Sequence, residues 1–179
     1  MPESDDQTPV ETRTVAGWRE LTFPDISSAL EEADRLAAAE RLGKLAAVGN
    51  WTLGQALGHV AAWTSYPYEG YPTRPPWFVR IIGRLLKRRL FAKRPPRGFR
   101  LPGVPGGTLA TEVLPTETGL ARFRRAFERL ERGAPEVPNP VFGPLTHREW
   151  IDLNLGHAAL HFGYFSAVTD EEADGFGTR

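Results

Sequence analysis

The chain is 179 residues long and carries 22 Lys plus Arg against 22 Asp plus Glu, so no net charge draws it to nucleic acid or membrane. It contains no cysteine, which excludes disulfides, thiolate catalysis and Cys-type zinc sites together. That length suits one domain with its own core, and neither a signal peptide at the acidic start nor a membrane-length apolar run is present, so a cytoplasmic protein is expected.

Residues 1–17 are polar and read as a flexible lead-in. Asp25 follows as an N-cap, opening a helix on which Ile26, Leu30, Ala33 and Ala37 recur at helical spacing until Gly43 or Gly49 ends it. Thr52 and Gln55 have capping-box spacing, and the second helix carries Leu53, Ala56, Leu57, Val60 and Thr64 on one face with His59 beside it. It is expected to stop at Tyr66-Pro67. Residues 77–90 read as one separate amphipathic helix, with Phe78, Ile81, Ile82, Leu85 and Leu86 on one side. The other side holds Arg80, Arg84, Lys87, Arg88 and Arg89, continued by Lys93, Arg94, Arg97 and Arg100, and no Asp or Glu lies between Glu69 and Glu112.

A Pro/Gly-rich loop from Pro95 to Pro115 is too long for a simple connector and reads as a lid over a site. Thr116 or Thr118 starts a helix with Leu120, Phe123, Phe127 and Leu130 on one face, and Gly133 stands where a C′ glycine belongs. Thr146 and Glu149 form a second capping box, opening the last helix. The acidic tail, residues 169–179, reads as frayed and solvated, leaving 18–168 as the folded domain. With no convincing strand, the expected fold is all-α: a four-helix bundle with an accessory basic helix and a long loop between core helices 2 and 3.

The last helix carries the chemistry. His157 and His161 lie four residues apart and so point the same way, on the apolar stripe that includes Trp150, Leu153, Leu160, Tyr164 and Phe165. Two neutral imidazoles suit Zn, Ni, Fe or Cu, and any third ligand must come from elsewhere. His147 lies about 15 Å along the axis from His157 by helical rise, too far to share an ion; His59, on an inward part of another core helix, is better placed. Residue physics alone leaves open both a three-histidine metal site and three hydrogen-bonded core histidines. Ala158 stands where a zinc peptidase would need its Glu, which argues against that chemistry. Glu149 is better explained as a cap than as a base. Gln55 and Asn154, each one turn before a candidate ligand, are candidates to orient ligands or to line a substrate pocket, as are Trp63 and Tyr164. For the basic segment from Arg80 to Arg100 a solvated face is favoured. Contact with an anionic substrate or membrane surface is the less favoured reading, and no motif supports specific nucleic-acid binding.

The stretch Gly49-Asn-Trp-Thr-Leu-Gly-Gln-Ala-Leu-Gly-His59, with His157-Ala-Ala-Leu-His161 a hundred residues later, resembles the DinB-like family of metal-binding four-helix bundles. The likeness is closer still to a bacterial branch known as a domain of unknown function, through Pro140-Val-Phe-Gly-Pro-Leu-Thr146, Glu149-Trp150 and the Pro-Trp-Phe basic insertion; it covers roughly residues 18 to 168. The resemblance implies that His59, His157 and His161 bind one divalent metal with an open position. It also implies a metal-dependent enzyme acting with a low-molecular-weight thiol on a small-molecule substrate, as a thiol S-transferase or a metal-water hydrolase, and a homodimer. The alternative is a non-catalytic bundle that binds metal or a small ligand and docks through its basic surface.

Overall fold

The structure, a computed structural model, describes residues 9–91, 96–98, 100 and 107–168, with residues 88 and 90 described by their backbone alone. The expected lead-in up to residue 8, the tail from Thr169, the basic positions Lys93 and Arg94, and residues 95, 99 and 101–106 of the expected lid lie outside the described residues.

Four long helices form the body: α1 (Ile26–Arg41), α2 (Leu53–Glu69), α5 (Thr116–Arg132) and α6 (His147–Phe162), with α3 (Trp77–Leu85) and α4 (Lys87–Phe91) inserted between α2 and α5. The fold is all-α, as the periodicity predicts. Three starts are set by side chains that satisfy orphan N–H groups: Asp25 with Ser28, Thr52 with Gln55, and Thr146 with Glu149 are reciprocal capping boxes. The core gathers where the apolar faces meet. Phe123 and Phe127 of α5, Phe162 of α6, and Leu36 and Leu57 are fully buried, and the Phe123 ring lies 5.2 Å from that of Phe162.

The α2–α5 crossing is backbone against backbone. A Cβ on Gly119 would stand 2.6 Å from the Gly54 carbonyl oxygen, and one on Gly54 would run into the Leu114 carbonyl. No larger residue fits that crossing without pushing the helices apart. Close approach there brings the middle of α2, and His59 with it, toward the centre of the body.

Several expectations are corrected. Two short strands exist, β1 (Leu45–Ala47) and β2 (Phe165–Ala167), paired antiparallel with Leu45 opposite Ala167; three residues are too few to show a period of two. The second helix does not stop before Pro67 but runs to Glu69, because burial of the proline offsets the helical bond its missing N–H forfeits. Residues 77–90 are two helices, broken at Leu86 (φ −99°, ψ 8°). Gly133 has φ 176°, extended rather than left-handed, so it ends α5 without the expected C′ geometry. Within the described part of the expected lead-in, Val10 and Thr12 make contacts with the body. Val10 exchanges two hydrogen bonds with the Asn50 side chain (2.8 and 2.9 Å), and the Thr12 carbonyl accepts from the Tyr164 hydroxyl (3.0 Å). Among the described residues no helix is long and apolar enough to cross a membrane.

Candidate metal centre

The capping boxes of α2 and α6 fix where the histidines fall. With Thr52 as N-cap of α2, His59 lies nearly two turns in; with Thr146 as N-cap of α6, His157 and His161 occupy successive turns of one face. The two faces meet. His59 Nε2 lies 3.2 Å from His157 Nε2, and His161 Nε2 lies 3.1 Å from the same atom. All three ligand atoms fall within 4.8 Å of one another.

The proton inventory of this cluster argues for a cation. His59 Nδ1 donates to the Leu109 carbonyl oxygen at 2.8 Å, so the neutral ring has its lone pair on Nε2, aimed at His157. One N–H on His157 Nε2, lying in its ring plane, can serve only one of its two close nitrogen neighbours well. At least one of the two close contacts is then left without a well-directed hydrogen bond, which a cation between the nitrogens would relieve. Three nitrogens on a tetrahedral zinc at its usual 2.0–2.1 Å are separated by about 3.3 Å, close to the two separations here. The three histidines can hold a metal ion.

Electrostatics keep the rings neutral. Burial pushes His59 down to about 4 despite the carbonyls of Leu109 and Ala110, which oppose the shift. Burial also lowers His157 and His161 well below the ordinary imidazole value, helped by repulsion from neighbouring histidines. At neutral pH no proton has to leave before an ion enters. Aromatic rings hold the imidazoles in place: Trp51 stacks on His161 with centroids 5.3 Å apart and planes 3° from parallel, and Trp63 stands edge-on to His157 at 6.1 Å.

The triad lines a pocket of about 790 Å³ whose wall includes Trp51, Trp63, Asn154, Tyr164 and, from the N-terminal segment, Val10 and Thr12. Its polar equipment is sparse. Glu11 is the one acid among the lining residues and Arg13 and Arg100 are the bases; burial pushes the Tyr71 hydroxyl up, so it stays a protonated donor. The Trp63 indole N–H is buried with no partner among the described residues. A buried unused donor in a pocket wall is available to a ligand.

Other candidates have separate tasks. Asn154 lines the pocket, but its amide is occupied: Oδ1 lies 2.8 Å from the Thr64 hydroxyl and Nδ2 donates to the Trp150 carbonyl, tying α6 to α2. Gln55 is not among the lining residues; it closes the capping box and reaches the Thr111 carbonyl at 3.4 Å. Glu149 accepts from the Thr146 N–H and pairs with Lys87 at 2.8 Å, which holds its carboxyl below the usual range and leaves it outside the pocket wall. His147 lies within hydrogen-bond distance of the Leu130 carbonyl, away from the triad.

A family model described as a protein of unknown function, DUF1569, matches residues 16–167. The chain belongs to the DUF1569 family. No curated protein and no solved structure matches it significantly. The matched stretch of this DUF1569 protein contains all three histidines, both strands and the α3–α4 insertion. Sequence reasoning missed Trp51 and Leu109 as partners of the triad. Trp51 stands immediately before the Thr52 N-cap, where a hydrophobic staple was the available signal; a main-chain carbonyl such as that of Leu109 leaves none.

Proposed function

We propose that this protein is a metal-dependent enzyme in which His59, His157 and His161 hold one divalent ion, Zn, Ni or Fe, with an open coordination position. The observation that carries the reading is the convergence of three histidine Nε2 atoms, with His59 turned by the Leu109 carbonyl so that its lone pair faces the other two. The resemblance to DinB-like bundles supports it, and with it a reaction class of thiol S-transfer to an electrophile or hydrolysis by water. A bound ion of this kind acts as a Lewis acid and lowers the pKa of a thiol or water at its open position.

The chain's own residues supply the rest. Leu109 fixes the His59 tautomer, and Trp51 and Trp63 fix the ring planes, so the three nitrogens are pre-oriented. Among the described residues Glu11 is the one carboxylate in the pocket wall, and its side chain accepts from the Arg13 backbone N–H. The apolar walls exclude water from a bound small molecule, while Arg13 and Arg100 suit an anionic group on it and the Trp63 N–H can donate to it.

Elemental analysis of untagged protein beside His59→Ala and His157→Ala tests the site. Near-stoichiometric metal in the wild type and its loss in both variants is expected, followed by turnover of electrophile–thiol pairs or of a hydrolysable substrate that His157→Ala loses. Wild-type protein that takes up none of Zn, Ni, Fe or Mn would reduce the triad to core histidines. Stoichiometric metal without turnover in either class would leave a binding protein in place of an enzyme.

A further inference from the structure

α3 presents its apolar stripe to solvent. Leu85 is 79% exposed, Trp77 71% and Ile81 and Ile82 about half, and Phe78 is exposed as well. The opposite side fastens the helix to the body. Gly83 is buried against Val141, where any Cβ would collide, and Lys87 just beyond donates to the Pro144 carbonyl at 3.0 Å and pairs with Glu149. Counting 100° per residue from Gly83, the stripe of Phe78, Ile81, Ile82 and Leu85 centres on the far side. Arg80, Arg84 and Arg89 are exposed and pair with no described acid; by the same count Arg84 flanks the stripe on one side and Arg80 lies nearer the Gly83 side, while Arg89 follows in α4. No acidic residue occurs anywhere from 70 to 111.

We infer that this face of α3 docks the protein on an anionic lipid surface. A ridge of large apolar side chains, roughly 13 Å long by helical rise, needs a partner that can flow around it. The acyl–headgroup boundary of a bilayer does so, with the aromatic Trp77 and Phe78 at one end and arginines reaching acidic headgroups alongside. A second copy is a poor occupant. A two-fold contact sets a patch against itself, which would bring these arginines together with no nearby carboxylate to offset them. The helix is too short to span a bilayer and lies on its surface. Val141, on which Gly83 rests, also lines the histidine pocket, so the docked helix and the pocket share one loop.

The test is co-sedimentation of the full chain with phosphatidylcholine vesicles, with and without phosphatidylserine, at low and high salt. Binding only to the phosphatidylserine vesicles, weakened by salt, is expected. Ile81→Glu/Leu85→Glu should lower partitioning about a hundredfold or more, given the apolar area lost. Arg80→Gln/Arg89→Gln should lower it about fivefold per arginine. Helix content and metal content should stay unchanged in both, since all four side chains are exposed. Failure of the wild type to bind phosphatidylserine vesicles, or equal binding to neutral ones, overturns the inference. So does binding that survives both double variants, or a concentration-dependent dimer dissolved by Ile81→Glu/Leu85→Glu. None of these results bears on the metal site, which elemental analysis tests separately.

Discussion

α5 and α3 carry the same kind of amphipathic pattern and meet opposite ends. Leu120, Phe123, Phe127 and Leu130 of α5 are buried, while Phe78, Ile81, Ile82 and Leu85 of α3 are exposed. The difference lies in what each helix can reach. Gly119 lets α5 settle directly on α2, so its stripe is drawn into the core. α3 is held instead by the reverse of its stripe, at Gly83, and among the described residues nothing covers its apolar side. An apolar face records that a surface wants burial and says nothing of where the covering surface is.

The sharpest way to break this comparison is to truncate one residue from each stripe. Phe123→Ala should destabilise the protein by about 3–5 kcal/mol, whereas Ile81→Ala should cost about 0.5 kcal/mol or less, both read from denaturant unfolding in the absence of lipid. Comparable losses would mean that α3 packs on the body after all. Metal should then distinguish the interior from the outer helix. Zinc at about a hundred times its dissociation constant should raise wild-type stability by about 2.7 kcal/mol, leave that gain intact in Ile81→Ala, and give none to His157→Ala.

Acid should act in the same place. In metal-free protein, unfolded His59 takes up a proton below its ordinary value of 6.5, and the folded residue refuses it until about 4. The unfolded state therefore binds more protons through this window, and stability falls as the pH is lowered. From pH 7 to 5 the loss from His59 alone is about 2 kcal/mol, and His157 and His161 add in the same direction. A melting temperature that holds steady over that range would contradict neutral buried rings. The smallest effect belongs to Ala110, beside the carbonyl that orients His59. Its φ of 56° is left-handed, a strain of about 1 kcal/mol. Glycine there would relieve the strain but loosen the unfolded chain by a comparable amount, so Ala110→Gly should be neutral within about 0.5 kcal/mol. The same change at Ala33, which is helical and fully buried, should cost more than about 1 kcal/mol.

Much of the fold could be read from local signals. The N-cap at Asp25 and the capping boxes at Thr52 and Thr146 fix helix starts through local side chains, and all three starts occur where expected. The four-residue spacing of His157 and His161 likewise fixes a shared face. What failed was regulated by partners distant in sequence: the β1–β2 pair joins residues about 120 apart, and Pro67 stays in its helix because of what buries it. Gln55 could be a cap or a site residue on paper, and hydrogen-bond geometry puts its side chain in the cap; Glu149, expected as a cap, lies in one as well.

By itself, then, the sequence determined the four long helices, their starting points, the absence of cysteine chemistry and the paired histidines of α6, because each depends on residues within a turn or two. Tertiary structure alone decided that His59 reaches that pair, that the Leu109 carbonyl sets its tautomer, and that the apolar side of α3 faces out. Those facts depend on how closely α2 can approach its neighbours and on which loop lies beneath α3. Such distances are set by packing across the whole chain, and no local pattern encodes them.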